Sequence, residues 1–419
     1  MRTTNKLVML LLIIINLVNS ACTNSDNNLE PTTPTEIATA ADLSTYLETI
    51  INDKEIPGFA VSIALNDAIA YQKSFGFANI AAQTPYTNQT VNSIASISKT
   101  FVSAAAVKAI EQGYFTLETN INDLLPIEVY NPKHPLENIK VKHLLTHTSG
   151  IIDNPQQYFA ANYFIFLGEN TSTNGASFLM NDLGIEQHTQ VALEDYLVEI
   201  FLEDGDLYSE DNYLDAKPGT QWAYSNTATA LMSYIIEYVS DAPFYEYVAN
   251  NVLLPLQMSN STFNFTEINT SNLATLYLNE YLPLPRYGNH SYAEGSMHTT
   301  NEDFSKYLLD MMKGIKGESS VLFTPASYNL LFSNLVDGSI VPGEFAENQA
   351  IYWYENDGYV MHGGNSFGTS SQLQIEKNGT SGFYILTNMD GTTYETSPKW
   401  EEVKLLISTA IEQYITHNK

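Results

Sequence analysis

Asn92-Ser93-Ile94-Ala95-Ser96-Ile97-Ser98-Lys99-Thr100-Phe101 sets a serine three residues ahead of a lysine, and the helix-forming run Val102 to Gln112 follows it. Residues three apart share one face of a helix, so Lys99 is expected beside the Ser96 hydroxyl. A serine is a weak nucleophile until a neighbour takes its proton. An ammonium cannot do so, but a lysine desolvated near other positive potential spends part of its time neutral. The helix N-terminus supplies that potential, and its free N–H groups face an oxyanion formed at Ser96. Taken alone, the spacing also fits a Ser–Lys pair on a solvated helix face, so the rest of the chain decides its meaning.

Upstream, Ala41 to Lys54 carries Leu43, Leu47, Ile50 and Ile51 at helical spacing. Phe59 to Leu65 and Ala68 to Phe75 flank Asn66-Asp67 and read as a β-hairpin. Downstream, about 118–340 is mainly helical in pattern, with helices expected at Val141–Leu145, Ala192–Phe201, Thr227–Tyr238 and Glu302–Met312. Strands return late: Tyr352-Trp353-Tyr354 and Tyr359–His362 around Asn356-Asp357-Gly358, then Ser370–Glu376 and Phe383–Thr387 around Lys377-Asn378-Gly379. A final helix is expected over Lys399–Tyr414. Strands at both ends and helices between them predict an α+β fold. The two sets of strands would share one antiparallel sheet flanked by the terminal helices, with an inserted mainly helical subdomain and Ser96 at the seam.

The chain has 419 residues, 44% of them hydrophobic, which is ample for a large core. Residues 1–21 stand apart. Arg2 and Lys6 precede the apolar run Leu7–Ile15, and Ser20-Ala21 precede Cys22, the pattern of a secretory signal peptide. Cys22, the sole cysteine, matches a bacterial lipoprotein cleavage site except that Asn19 stands where leucine is usual; lipidation is expected there. Residues 22–40, rich in Thr, Asn, Pro and acids, read as a disordered tether to a domain over 41–419. The protein is therefore expected in the bacterial cell envelope, touching the membrane only through that anchor. The net charge of −29 and the lack of a basic stripe exclude nucleic acid as a partner. A monomer is expected. Arg286 is the one arginine after cleavage; it reads as a surface residue or as a ligand for a substrate carboxylate.

Two further segments give Ser96 its context. Lys217-Pro218-Gly219-Thr220-Gln221-Trp222-Ala223-Tyr224-Ser225-Asn226 runs a turn into an aromatic and then a helix, and His362-Gly363-Gly364 follows a strand and precedes Asn365. The order S-x-x-K, Y-S-N, H-x-G resembles the serine hydrolase family of class C β-lactamases, D-alanyl-D-alanine carboxypeptidases and related esterases. Val141-Lys142-His143-Leu144-Leu145-Thr146-His147-Thr148-Ser149-Gly150 is similar to that family's non-catalytic signature, and the resemblance runs from about residue 41 to the end.

The resemblance implies an acyl-enzyme on Ser96, with Lys99 and Tyr224 moving protons and Asn226 holding Lys99 and a substrate carbonyl. It places the oxyanion hole at the backbone N–H groups of Ser96 and Asn365, beside Gly363 and Gly364. No cofactor or metal is implied. His362 stands where β-lactamases carry lysine; a histidine is only partly charged at neutral pH, and H-x-G is typical of D-alanyl-D-alanine peptidases and esterases. The expected substrate is therefore a D-peptide or small ester. The alternatives are a non-catalytic envelope protein binding peptidoglycan or another partner, and a weak class C-like β-lactamase. His143 and His147, at i and i+4, are expected to serve structural hydrogen bonds. Asn154–Gln190 is unusually long and aromatic: Tyr158, Phe159, Tyr163, Phe164, Phe166 and Phe178 read as a cleft wall or as internal packing, and Tyr277–Tyr292 as a second such segment.

Overall fold

A computed structural model describes residues 36–279, 282–393 and 397–419. The segment read as a signal peptide, Cys22 and all but the end of the expected tether lie outside the described residues. The helices that build the layers are α1 (Ala40–Lys54), α2 (Ser98–Glu111), α3 (Val141–Leu145), α4 (Leu193–Phe201), α5 (Asn226–Ser240), α6 (Asn301–Ile315) and α7 (Ser397–Asn418). The main strands are β1 (Gly58–Leu65), β2 (Ala68–Asn79), β3 (Thr84–Pro85), β4 (Asn348–Gln349), β5 (Tyr354–Asn356), β6 (Tyr359–Ser366), β7 (Thr369–Glu376) and β8 (Ser381–Thr387).

Every residue of β1 is buried, which requires a sheet covered on both faces. Side chains alternate along a strand. Phe59, Val61 and Ile63 join one apolar cluster with Leu43 and Leu47 of α1 and Val403 and Ile407 of α7. On the other face Ser62 donates to Asn301 Oδ1 of α6 at 2.7 Å. The β1–β2 hairpin turns at Asn66 and Asp67, with φ of 47° and 70°, the left-handed pair that a two-residue hairpin needs.

The strands form one eight-stranded sheet in the order β4-β5-β6-β7-β8-β1-β2-β3. β8 joins the late strands to the early hairpin antiparallel, with Phe59 opposite Thr387 and Ile63 opposite Phe383. This is the shared sheet, flanked by the terminal helices, that the sequence predicts. Two expectations change. Residues 36–40 are not tether: Ile37 is buried in the α1–α7 cluster, and Thr39 caps α1 in a capping box with Asp42. Helix α6, expected in the middle subdomain, packs on β1, β2 and β8 and covers the second face of the sheet.

Helix α2 is buried almost all round, its Ala-, Ser- and Val-rich surface packed against α5 and the turn Tyr292–Glu294 among others. Ser96 therefore leads into a helix whose body is buried, not into one on a solvated surface. Among the described residues no helix is long and apolar enough to cross a membrane.

Candidate active site

Ser96 sits in a 3-10 turn, Ala95–Ile97, that runs directly into α2. Ala95 has φ of 48°, a left-handed conformation that costs a non-glycine residue about 1–3 kcal/mol and persists only where neighbours impose it. β7 imposes it here: Ser371 Oγ donates to Ile94 O at 2.7 Å and Thr369 Oγ1 to Ser93 O at 2.8 Å. The turn then presents the half-buried Ser96 to a cavity of about 430 Å³.

Lys99 is fully buried. Its Nζ donates to Ser96 Oγ at 3.3 Å, to Asn226 Oδ1 at 2.7 Å, and to the main-chain oxygen and Oε2 of Glu294 at 2.7 and 3.3 Å. Burial pulls this lysine down, but Tyr224, Glu294 and Asp153 more than reverse it, so its pKa lies above the ordinary value. Where the motif alone suggests a partly neutral lysine, Tyr224 first, then Glu294 and Asp153, favour the ammonium. Because Lys99 donates to Ser96 Oγ, the serine's own hydrogen is left for another acceptor. Tyr224 is that neighbour; its ring lies 4.8 Å from Lys99 Nζ. Burial raises the phenol above its usual pKa, while Lys99 and hydrogen bonds to Lys99 and Ser96 pull it back in part.

The segment Tyr224-Ser225-Asn226 works as a folded unit. Ser225 caps α5, accepting from Ala228 N–H at 2.9 Å, and Asn226 is the first helical residue, free to turn its amide to Lys99. Asp153 fixes that amide: its Oδ2 accepts from Asn226 N and Nδ2 at 3.1 and 2.9 Å, and its Oδ1 from Thr227 N and Oγ1 at 2.8 Å each. A carboxylate on a helix N-terminus is well placed, yet burial keeps Asp153 above the usual carboxylate range. His147 supports Tyr224 from behind, with ring centroids 4.6 Å apart, and its Nδ1 accepts from Ser225 N–H at 3.2 Å. His143 Nδ1 accepts from Lys140 N–H at 3.1 Å. Both histidines hold backbone, and among the described residues no group of three or more His, Cys, Asp or Glu is arranged to hold a metal.

The third motif lies on β6, against the Ser96 turn. Gly364 is sterically required: a Cβ there would stand 2.4 Å from Ile94 O and 3.1 Å from Ser96 N. Gly363 has open space around its Cβ position. His362 is buried, packs at a tilt against the Tyr354 ring with centroids 4.8 Å apart, and directs Nδ1 at its neighbour's carbonyl, Gly363 O, 2.6 Å away. Burial and the Lys99 charge push its pKa down to about 3, so the ring is neutral. Nδ1 carries the hydrogen, and Nε2 is an acceptor with no partner among the described residues. Asn365 lines the cavity beside it.

The long segments flagged in the sequence meet. Tyr163–Ile165 pairs antiparallel with Tyr287–Asn289, and Tyr158, Phe159, Tyr163 and Tyr287 line the cavity. Phe164 and Phe166 do not; they pack on His290 and Phe265. Phe178 packs behind Phe367. Arg286 is a surface residue, half exposed and paired with Glu169 at 2.6 Å, away from the cavity lining.

Glu294 and Asp153 escaped sequence reasoning. Glu294 is 3% exposed; its Oε1 accepts from Tyr158 at 3.1 Å and Asn289 at 2.7 Å, and burial holds it above the usual carboxylate range. No local pattern marks it, since it reaches Lys99 across 195 residues. Asp153, three residues past Gly150, had the recognisable segment next to it as a signal.

Fold and site together define a serine-hydrolase framework. The family model described as Beta-lactamase matches residues 43–406, and the chain belongs to that family, with its penicillin-binding-protein-like serine hydrolases. Protein flp of Staphylococcus aureus (strain MW2) is 24% identical over 383 residues, 90% of this chain and 67% of that protein. Penicillin-binding protein 4* of Bacillus subtilis (strain 168) is 25% identical over 217 residues, 52% of this chain but 40% of that protein. The fold is shared with the octameric penicillin-binding protein homologue from Pyrococcus abyssi (TM-score 0.65, 23% identity, 88% of this chain and 77% of that one). It is shared also with D-amino acid amidase from Ochrobactrum anthropi SV3 (TM-score 0.64, 17% identity, 88% and 99%).

Proposed function

We propose that this protein is a serine hydrolase working through an acyl-enzyme on Ser96, and that esters or amides without a free carboxylate are its substrates. The carrying observation is the Lys99 ammonium, donating at once to Ser96 Oγ and Asn226 Oδ1 beneath Tyr224. Ser96 attacks the carbonyl and its proton passes to Tyr224, where the Lys99 ammonium offsets part of the burial that holds the phenol protonated. Tyr224 gives the proton to the leaving group, then takes one from the water that cleaves the acyl-enzyme. The backbone N–H groups of Ser96 and Asn365 receive the oxyanion.

The resemblance leaves carboxypeptidase and esterase open, and the charges favour the esterase. A D-alanyl-D-alanine terminus brings a carboxylate. His362 is neutral, and among the described residues lining the cavity there is no lysine or arginine, while Asp153 and Glu294 are there. Ser96→Ala is expected to abolish labelling by a fluorophosphonate and hydrolysis of p-nitrophenyl esters. The wild type should cleave those esters far faster than D-Ala-D-Ala peptides or nitrocefin. Equal labelling of wild type and Ser96→Ala removes the nucleophile, and faster D-Ala-D-Ala cleavage restores the carboxypeptidase reading. Export and anchoring at Cys22 belong to the same proposal and rest on the sequence alone.

A further inference from the structure

The cavity has two aromatic walls, and they belong to different apolar clusters. One consists of Trp222, Tyr224, Phe345 and Tyr354. The other consists of Phe159, Tyr163, Tyr287 and Phe367, with Leu276. β6 tells how they lie about the nucleophile. Tyr354 pairs with Met361, one residue before His362, whereas Phe367 directly follows Ser366, the last residue of the strand. Gly364, between them, is the residue that abuts Ser96 N. From 362 to 367 an extended chain covers about 17 Å, so the walls stand at the two ends of the edge and Ser96 faces its middle.

Chemistry then distinguishes the ends. Tyr224, which returns the proton, belongs to the Trp222–Phe345–Tyr354 wall, and the leaving group's oxygen must come within hydrogen-bond reach of it. With the carbonyl oxygen held at the backbone of Ser96 and Asn365, the acyl substituent extends the other way, to Phe159, Tyr163 and Phe367. Resting on the reading of Ser96 as nucleophile, we infer that this second wall is the acyl site and that it selects uncharged, ring-bearing acyl groups, with the leaving group stacked on Trp222 and Phe345. In acylation the Ser96 Oγ–carbon bond forms and the bond to the leaving oxygen breaks. The serine proton leaves on that oxygen through Tyr224, and water releases the aryl-bearing acid.

The test holds the leaving group constant and changes the acyl group. kcat/KM is measured for p-nitrophenyl phenylacetate, acetate and hemisuccinate on wild type, Phe159→Ala and Phe367→Ala. Burying a ring is worth about tenfold or more in kcat/KM, so the wild type should prefer phenylacetate over acetate by at least about that factor and discriminate against hemisuccinate. Both alanine variants should bring the phenylacetate-to-acetate ratio down toward one, while Phe345→Ala should leave that ratio high. Equal wild-type rates on phenylacetate and acetate, or a ratio untouched by both acyl-wall variants, overturns the assignment. Binding gives a readout without turnover: Ser96→Ala should bind the phenylacetate ester more tightly than the acetate ester, and equal affinities also overturn it. Retained hydrolysis by Ser96→Ala instead sinks the nucleophile, so the two failures are distinct.

Discussion

Replacing Glu294 by glutamine removes one negative charge from beneath the nucleophile while keeping shape and an acceptor. Both Lys99 and Glu294 are buried, and Oε2 lies 3.3 Å from Nζ. At an effective dielectric of about 20, unit charges at that separation interact by about 5 kcal/mol. Glutamine's carbonyl recovers part of this through a charge-assisted hydrogen bond worth about 1.5–3 kcal/mol, leaving a net loss of roughly 2–3.5 kcal/mol. Lys99, Tyr224, Glu294 and Asp153 all stand above their ordinary pKa values. The three partners also titrate as a cluster with Glu294, so removing its charge moves them down together. Glu294→Gln should therefore shift the whole pH–rate profile of kcat/KM to lower pH and lower the thermal midpoint. An ester assay from pH 5 to pH 10, with a melt at each pH, checks both. A variant that melts lower but keeps the wild-type profile refutes the claim that Glu294 sets the charge state of Lys99 and leaves it a packing residue.

Tyr224→Phe keeps the ring against His147 and removes the proton carrier; kcat should fall by about 10²–10⁴ with KM little changed, and near-normal turnover takes Tyr224 out of the mechanism. Arg286→Ala breaks an exposed pair worth less than about 1 kcal/mol and should not raise KM for a carboxylate-bearing ester; a large rise would return Arg286 to the substrate. Asp390 is fully buried, and burial lifts its carboxyl to about 7. The folded state thus holds a proton that the unfolded chain gives up near pH 4, and stability contributed by this group is lost as pH rises from about 4 through 7. Asp390→Asn should gain on the wild type by roughly 2.5 kcal/mol between pH 5 and pH 8, read from denaturant midpoints; a gap constant with pH sinks that account.

Elements carried by local chemistry were legible. Hairpins at Asn66-Asp67 and Asn356-Asp357-Gly358 announce themselves because positive φ demands those residue types. Helix α1 follows from the spacing of Leu43, Leu47 and Ile50. Tyr352 and Trp353 did not become strand, since Tyr352 takes φ of 52° to set its backbone N–H on Leu145 O at 3.1 Å, a tertiary demand overriding β propensity. The three motifs around Ser96 were legible for a different reason: each couples a special backbone to a reactive side chain, as Ser225 capping α5 frees Asn226 for Lys99.

What stayed hidden is what depends on pairing distant segments. An S-x-x-K reading asks how lysine loses its proton, whereas Tyr224, Glu294 and Asp153 bind it more firmly, and neither acid is near Lys99 in sequence. A lysine donating to Ser96 Oγ, Asn226 Oδ1 and two oxygens of Glu294 has no lone pair to offer, and on the proposed reading that leaves Tyr224 as the base. The aromatic segments were visible as composition, but composition cannot tell wall from filling. Pairing of Tyr163–Ile165 with Tyr287–Asn289 decides it, since side chains alternate across that small sheet. Tyr163 lines the cavity while Phe164 turns away. One residue of register would exchange them, and with them the surface that meets the acyl group.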